Sequence, residues 1–441
     1  MDIKIIDLFS GCGGMALGFK KAGFDIITGI ENSKAAYETY IKNMYYKFNK
    51  VNTHIYGDIK KINITDINKY IENFKIGVIG GPPCQAYSLA GKGKLKSLGS
   101  ERVNTKDERG TLYKEFLRIA YGIDAEFILI ENVPEATNYG GQNIAEIISE
   151  DLNKHNYEVR WTILNAANFG VPQIRERLFI LAFKKSSNKT VEFPAPTHFC
   201  PLDEYKAYYE KRIKSFYECK YFLGNKKKST QSKWITVKDA FSDLPRLMQN
   251  NKYRRIPNDV FMKYSTGIEN EYQKNMRCWY NSTTEVISGN AFRNNTKEKF
   301  IFEKMKQGDN YLEAKKIATK EFEKVKKIYK LEEKSEKFLE FHNRIIPKYS
   351  DEKFVNKWKK LREDWPSHTV TAHLGKDTYS HIHPWEPRGI SVREAARLQS
   401  FPDNFDFASN MGESYKMIGN AVPPLLSYNI AMKIKEILEI E

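Results

Sequence analysis

Cysteine is scarce in this chain. The 441 residues hold five, Cys12, Cys84, Cys200, Cys219 and Cys278, scattered and without a C-x-x-C pair. That excludes a disulfide framework and a zinc ribbon, and leaves reduced thiols and no expected metal. No apolar run approaches membrane-spanning length. The chain opens on the strand-like Ile3-Lys4-Ile5-Ile6 instead of a signal pattern, so a cytoplasmic protein without a membrane partner is expected. Internal repeats and low-complexity linkers are also missing, which argues against solenoid and fibrous classes. What remains, 41% apolar and 13% aromatic residues, describes a soluble globular chain long enough for two domains.

The formal net charge of +16 is unevenly spread. Lys184 to Trp365 holds 41 Lys and Arg against 25 Asp and Glu, while the rest of the chain holds 30 of each. A solvated basic face is the plain reading of any charge run. Confinement of the whole excess to one segment beside a neutral remainder points instead to a clamp for a polyanion, with nucleic acid as partner.

Residues 1–183 alternate apolar runs with amphipathic or loop stretches, the pattern of an α/β fold with a mostly parallel sheet and crossover helices. Strands are expected at Ile3 to Leu8, Asp25 to Ile30, Ile76 to Gly80, Phe127 to Ile130, Val159 to Leu164 and Arg177 to Phe183. From about residue 184 Lys, Asn, Tyr and Phe dominate and periodicity is poor. Lys297 to Phe341 has helical spacing and reads as one or two exposed, solvated helices. Ser391 and Glu394 form a capping-box signal for a short helix that ends at Pro402. Leu426, Ile430, Ile434 and Leu438 make an amphipathic stripe that needs a surface to cover it. The expected division is 1–183, 184–366 and 367–441.

Several expected strands run directly into motifs. Asp7-Leu8-Phe9-Ser10-Gly11-Cys12-Gly13-Gly14 follows the first and opens a helix; its glycines let backbone approach a ligand. Glu31 ends the next strand, where a carboxylate can take both ribose hydroxyls, and Asp58 follows a third, within reach of an adenine amine. Each acid alone is an ordinary surface residue. The three together favour an adenosine pocket, and the absence of a P-loop lysine favours a cofactor without a triphosphate. Gly80-Gly81-Pro82-Pro83 halts another strand and presents Cys84, a nucleophile if activated. Glu131 ends the strand after that. Arg175 and Arg177 alternate onto one side before the last. A thiol, a carboxyl and two arginines make either a salt-bridged sheet rim or one site that attacks a ring carbon and holds ring nitrogen and oxygen.

In the order in which they occur, Asp7-Leu8-Phe9-x-Gly11-x-Gly13-Gly14, Pro83-Cys84-Gln85-x-x-Ser88, Arg109-Gly110-x-Leu112, Glu131-Asn132-Val133, Gln173-x-Arg175-x-Arg177, Arg393-Glu394-x-Ala396-Arg397-Leu398 and Gly419-Asn420-Ala421-Val422 resemble the DNA (cytosine-5) methyltransferase family. They cover about 1–183 and 367–441; Tyr87 stands where the family usually has Phe. The resemblance implies a Rossmann-like catalytic domain, a variable target-recognition region at 184–366 and a last helix that returns to the catalytic domain. It implies S-adenosylmethionine as cofactor, held by Phe9, Gly11, Gly13, Gly14, Glu31, Asn32, Asp58, Ile59, Pro83, Leu112, Asn420 and Val422. It also implies that Cys84 adds to C6 of a cytosine, Glu131 engages N3, and Arg175 with Arg177 holds O2. C6 is out of reach in a stacked duplex, so the base must be flipped out.

Double-stranded DNA is the expected partner. Gln85 and Ser88, with Arg254, Arg255, Arg277 and Arg293 as arginines of the basic segment, are candidates for its contacts. A monomer is expected, with a restriction endonuclease as a genetic partner in a restriction-modification or self-marking role. The alternatives are an RNA cytosine-5 methyltransferase, whose Cys-Phe-Thr motif does not occur here, and a non-catalytic DNA-binding module. His381 and His383 alternate onto one strand face, but without a nearby carboxylate or cysteine they point to packing or DNA-backbone contact before metal.

Overall fold

β1 (Ile3–Leu8) is covered on both faces: Ile3 and Ile5 enter one apolar cluster, Ile6 and Leu8 another. Near-continuous apolar strands of this kind belong in the middle of a sheet with helices on both sides. β1 pairs in parallel with β2 (Asp25–Glu31) and β4 (Lys75–Gly80); β3 (Ile55–Tyr56) and β5 (Phe127–Asn132) extend the parallel set. β6 (Tyr157–Asn165) and β7 (Glu176–Lys184) complete a seven-stranded sheet of order β3-β2-β1-β4-β5-β7-β6, with β7 antiparallel to both its neighbours. The mostly parallel, Rossmann-like sheet is as expected, and each expected strand is present with ends displaced by at most two residues.

This computed structural model describes residues 3–48, 50–71, 74–83, 112–139, 141–201, 231–247, 256–279, 283–293, 297–347, 357–375, 379–407 and 410–440. By contacts the chain divides into two compact units, 1–234 together with 421–441, and 235–420. The first boundary therefore falls some fifty residues after the change in composition at 184, and the second at 420/421 instead of 366/367.

In the first unit α1 (Gly14–Lys21) and the C-terminal helix Pro424–Ile437 cover one face of the sheet. Met15 and Phe19 pack with Leu426, Ile430, Ala431 and Ile434, so the stripe has its surface. α2 (Lys34–Met44) follows β2, and the short α3 (Ile64–Asn68) precedes β4. α4 (Leu112–Gly122) and α5 (Ile144–Lys154) cover the other face through Phe116, Ile119, Ile148 and Leu152. α5 starts where the Asn143 side chain accepts from the Ala145 and Glu146 amides, which satisfies donors a helix cannot pair internally.

The second unit contains α6 (Val237–Phe241), α7 (Glu271–Arg277), α8 (Lys299–Lys304), α9 (Tyr311–Ile328), α10 (Glu336–Ile345), α11 (Val392–Leu398) and α12 (Met411–Asn420). The capping box is present: Ser391 Oγ accepts from the Glu394 amide at 3.2 Å, and Glu394 accepts from the Ser391 amide at 2.6 Å. α11 is buried along its whole length, because its charges find partners inside. Arg397 makes a bidentate pair with Asp403 at 2.6 and 2.5 Å, two bonds of 3.1 Å to Asp243 and one of 2.9 Å to the Ala240 carbonyl. Arg393 donates to the carbonyls of Ser288, Pro402 and Phe405.

The expectation of solvated helices at 297–341 needs correction. Ile301, Phe302, Met305, Tyr311, Ala314 and Ala318 form a core with Trp358, Tyr379 and Ile382, and Phe322 is buried as well. The Lys and Glu residues occupy the outer face of α9 and conceal its apolar stripe. Only α10, which has no buried residue, fits the exposed reading.

Candidate active site

Five parallel strands end at one edge, and their register sets what meets there. Leu8 lies opposite Ile30 and Gly80, Ile30 opposite Ile55, and Gly80 opposite Ile130. The residues that follow, Phe9 to Gly14, Glu31, Asp58, Gly81 to Pro83 and Glu131, therefore share the carboxyl edge of the sheet, where open α/β folds bind ligands. β7 runs the other way, with Glu131 opposite Phe179 and Asn132 opposite Leu178, so its beginning, not its end, reaches this edge. That is how Arg175, just before β7, and Arg177, at its start, join groups at the carboxyl ends of the parallel strands.

The glycine loop is bent and open. Phe9, Gly11 and Gly13 all adopt positive φ, at 53°, 55° and 94°, and a Cβ added to Gly11 would meet nothing within 4 Å. Glu31 binds this loop: one carboxylate oxygen accepts from the Gly11 amide at 2.8 Å and the other from the Ser33 amide at 2.7 Å. Asp58 is exposed and accepts from the Lys60 amide at 3.1 Å. Asn32 is exposed, and Pro83 and Leu112 are half-buried. Gly14 is buried at the start of α1. The side chains of Ile59 and Val422 are core, leaving only their main chains for a ligand. Asn420 ends α12 in the second unit and is exposed. Open space over a glycine, flanked by a half-buried carboxylate and an exposed one at adjacent strand ends, suits a nucleoside with a ribose diol and an exocyclic amine.

Cys12 lies in the same loop but is inert: it is buried, and burial pushes its thiol up to about 12. Asp7, also buried, is held well above the ordinary carboxylate range by burial, with the charge of Glu31 adding to the effect.

On the other side Glu131 is buried and pairs with Arg177, Nε to Oε1, at 3.0 Å. Burial raises its pKa, while Arg177 and Arg175 pull it down; the raising effect wins. Its second oxygen faces Gly81, where an added Cβ would come within 2.9 Å and the carboxyl would have to shift. Arg175 is fully buried and donates through Nη2 to the Ala421 carbonyl at 3.0 Å. Burial lowers its pKa, as does Arg177, against the opposing charge of Glu131. The structure thus brings Glu131, Arg175 and Arg177 together. Cys84, Gln85, Ser88, Arg254 and Arg255 lie outside the described residues.

Two DNA-contact candidates are described. Arg277 makes contacts within the protein: its guanidinium sits over the Tyr264 ring at 3.8 Å, reaches Asp243 at 3.6 Å and is largely buried. Arg293 is half-buried, 5.6 Å from the Tyr379 ring. His381 and His383 are both buried. His381 stacks on His368 at 3.9 Å, and His383 accepts through Nδ1 from the Trp385 and Glu386 amides. Their role in the fold is packing and capping. Sequence reasoning passed over Ser10, Tyr40 and His54, which lie beneath the glycine loop; a lone histidine 44 positions from its partner serine carries no sequence signal.

Residues 3–436 match the family model of the C-5 cytosine-specific DNA methylases. A protein of Oceanobacillus iheyensis described as a candidate type II methyltransferase is 46% identical over 440 residues, covering 98% of this chain and 95% of its own. The type II methyltransferase M.DdeI of Desulfomicrobium norvegicum is 28% identical, covering 98% and 88%. In fold, the chain is similar to a DNA modification methyltransferase candidate encoded within an E. coli prophage, with a TM-score of 0.67, 23% identity and 99% of each chain covered.

Proposed function

Because the chain belongs to the C-5 cytosine-specific DNA methylase family, we propose that it methylates carbon 5 of a cytosine flipped out of duplex DNA at one short sequence, with S-adenosylmethionine as cofactor. The observation that carries this reading is the buried Glu131 carboxyl, raised in pKa, paired with Arg177 and set against the glycine that leads into Pro82-Pro83-Cys84. A carboxyl that holds a proton easily suits a heterocycle nitrogen that must gain one as the ring is attacked.

Glu31 and Asp58 are the groups that would hold the ribose and adenine of the cofactor, with Phe9, Gly11 and Gly13 beneath it. When bound, S-adenosylmethionine supplies an electrophilic methyl group. Cys84 acts as nucleophile: its thiolate forms a bond to C6, and the ring electrons move toward C5. Glu131 delivers or shares a proton at N3, so the adduct need not carry a full negative charge, while the arginines face O2. Once C5 bears the methyl group, a base takes the C5 proton, the electron pair re-forms the C5–C6 double bond, and the Cys84 thiolate leaves. The flipped base costs a few kcal/mol of lost stacking, which contacts from the basic segment 184–365 offset. The names of the relatives favour a modification role in a restriction-modification system, and the proposed working form is a monomer.

The test is base-resolution sequencing of bisulfite-treated, mixed-sequence duplex DNA after incubation with the protein and cofactor. Methylation at one short motif, lost in Cys84→Ser, is expected. Methylation of structured RNA but of no duplex DNA would replace this substrate; methylation that survives Cys84→Ser would overturn the mechanism.

A further inference from the structure

Beneath the glycine loop lies a cluster that the reading above does not use. His54 Nε2 is 2.8 Å from the Ser10 hydroxyl, and both residues are buried. The imidazole stacks on Tyr40, with ring centroids 4.0 Å apart and an interplanar angle of 21°. Its other side lies over Gly29, where an added Cβ would come within 2.5 Å of Cε1. Tyr40 in turn touches the far end of the loop, since a Cβ on Gly13 would come within 3.0 Å of its ring. The histidine main chain is fixed as well, its amide donating to the Asn52 side chain at 2.9 Å.

The loop needs such support. Phe9 holds a left-handed conformation at φ 53°, which is unfavourable for a non-glycine residue and persists only where surrounding contacts impose it. Glu31 anchors the Gly11 amide, but the same carboxylate is the group proposed to take the ribose. An anchor that does not face the cofactor is the complement to it. We propose that His54 is a positioning residue for the cofactor loop: bonded to Ser10 and stacked through Tyr40 against Gly13, it fixes residues 9–13 in the shape that receives S-adenosylmethionine. This rests on the cofactor reading given above.

The chemistry of the ring agrees. Burial lowers the His54 pKa to about 3, so the imidazole is neutral and carries one N–H. Nδ1 is buried and has no partner among the described residues. An unpaired lone pair costs less there than an unpaired N–H, so the proton sits on Nε2 and His54 donates to Ser10. The required group is a donor at the Nε2 position, which glutamine can supply and alanine cannot.

The experiment measures S-adenosylhomocysteine affinity by calorimetry for the full chain, His54→Ala, His54→Gln, Ser10→Ala and the His54→Ala/Ser10→Ala double variant, with amide hydrogen exchange of the cofactor-free proteins. His54→Ala is expected to weaken binding about tenfold and to speed exchange at residues 10–13 by a similar factor. Ser10→Ala should weaken binding about fivefold and the double variant no more than His54→Ala alone, because the two residues share one bond. His54→Gln should return affinity to within about threefold. KM for DNA and kcat should stay within about twofold while KM for the cofactor rises. Affinity within twofold of the parent in both single variants, or losses that add in the double variant, overturns the proposal. If His54→Ala does not fold, Ser10→Ala and His54→Gln decide by the same criteria. A parent chain that binds no S-adenosylhomocysteine overturns the cofactor reading itself, and this inference with it.

Discussion

At the edge of the sheet, Arg177 meets Glu131 at 3.0 Å beside a bare glycine, and the carboxyl is left with a raised pKa. In the second unit, Arg397 meets Asp403 and Asp243 with five hydrogen bonds for its five N–H groups; Asp403 ends below its ordinary range because the guanidinium outweighs burial, while burial holds Asp243 above its own. Both pairs sit in short motifs of equal prominence in the sequence. The first is under-compensated, and a group with unspent protonation capacity can exchange a proton with a ligand. In the second every N–H of the arginine is taken, and the cluster holds neighbouring segments together. Occupancy of the arginine donors, rather than charge, burial or the direction of a carboxyl pKa, separates the two clusters.

Substitutions at the two pairs test that distinction. Glu131→Gln keeps the shape and removes the titrating proton; turnover should fall by roughly 10²–10⁴, measured as methyl transfer to a cognate duplex. Its stability should move the opposite way. A raised carboxyl pKa means the folded state binds the proton more tightly than the unfolded chain, so the parent loses stability as pH rises through the carboxylate range and above it. Glutamine carries no such loss and should match or exceed the parent at neutral pH in denaturant unfolding. Arg397→Met should do the reverse, lowering stability by about 3–5 kcal/mol because two buried carboxylates lose their partner, while cofactor affinity of the protein that remains folded stays near the parent value. If Glu131→Gln unfolds the protein, or Arg397→Met spares it, the distinction fails.

A smaller effect is expected at α9. Phe322→Ala should lower stability by roughly 3 kcal/mol, as for a buried aromatic, where a solvated helix would lose almost nothing. The smallest is at Cys12. Replacement by Ala should leave turnover within about threefold and stability within about 1.5 kcal/mol, because a buried thiol that stays protonated contributes only packing. Loss of activity there would remove the contrast between Cys12 and Cys84.

How much of this the sequence disclosed depends on whether the deciding interaction is local. The strands, the Ser391 and Glu394 capping box and the Leu426 to Ile434 stripe were legible because each is written in residues two to four apart. Glu131, Arg175 and Arg177 could be nominated from strand ends, but not how they meet, since that depends on β7 entering antiparallel between β5 and β6. The core under α8 and α9 was hidden because its partners, Trp358, Tyr379 and Ile382, lie far along the chain and the outer face is dense in charge. Arg277 looked like a free arginine of a basic segment because nothing near it in sequence announces Tyr264 and Asp243 as partners.

α1 follows the first strand, yet it rests on the helix Pro424–Ile437, with Ser427 Oγ donating to the Met15 carbonyl at 2.7 Å. On a ribosome adding about 5–20 residues per second, roughly 400 residues must emerge between the two halves of that contact, a wait of some 20–80 s. The glycine loop begins beside a helix whose support is synthesised roughly 400 residues later. A nascent chain thus carries its first glycine loop and helix without this support until the helix Pro424–Ile437 has emerged.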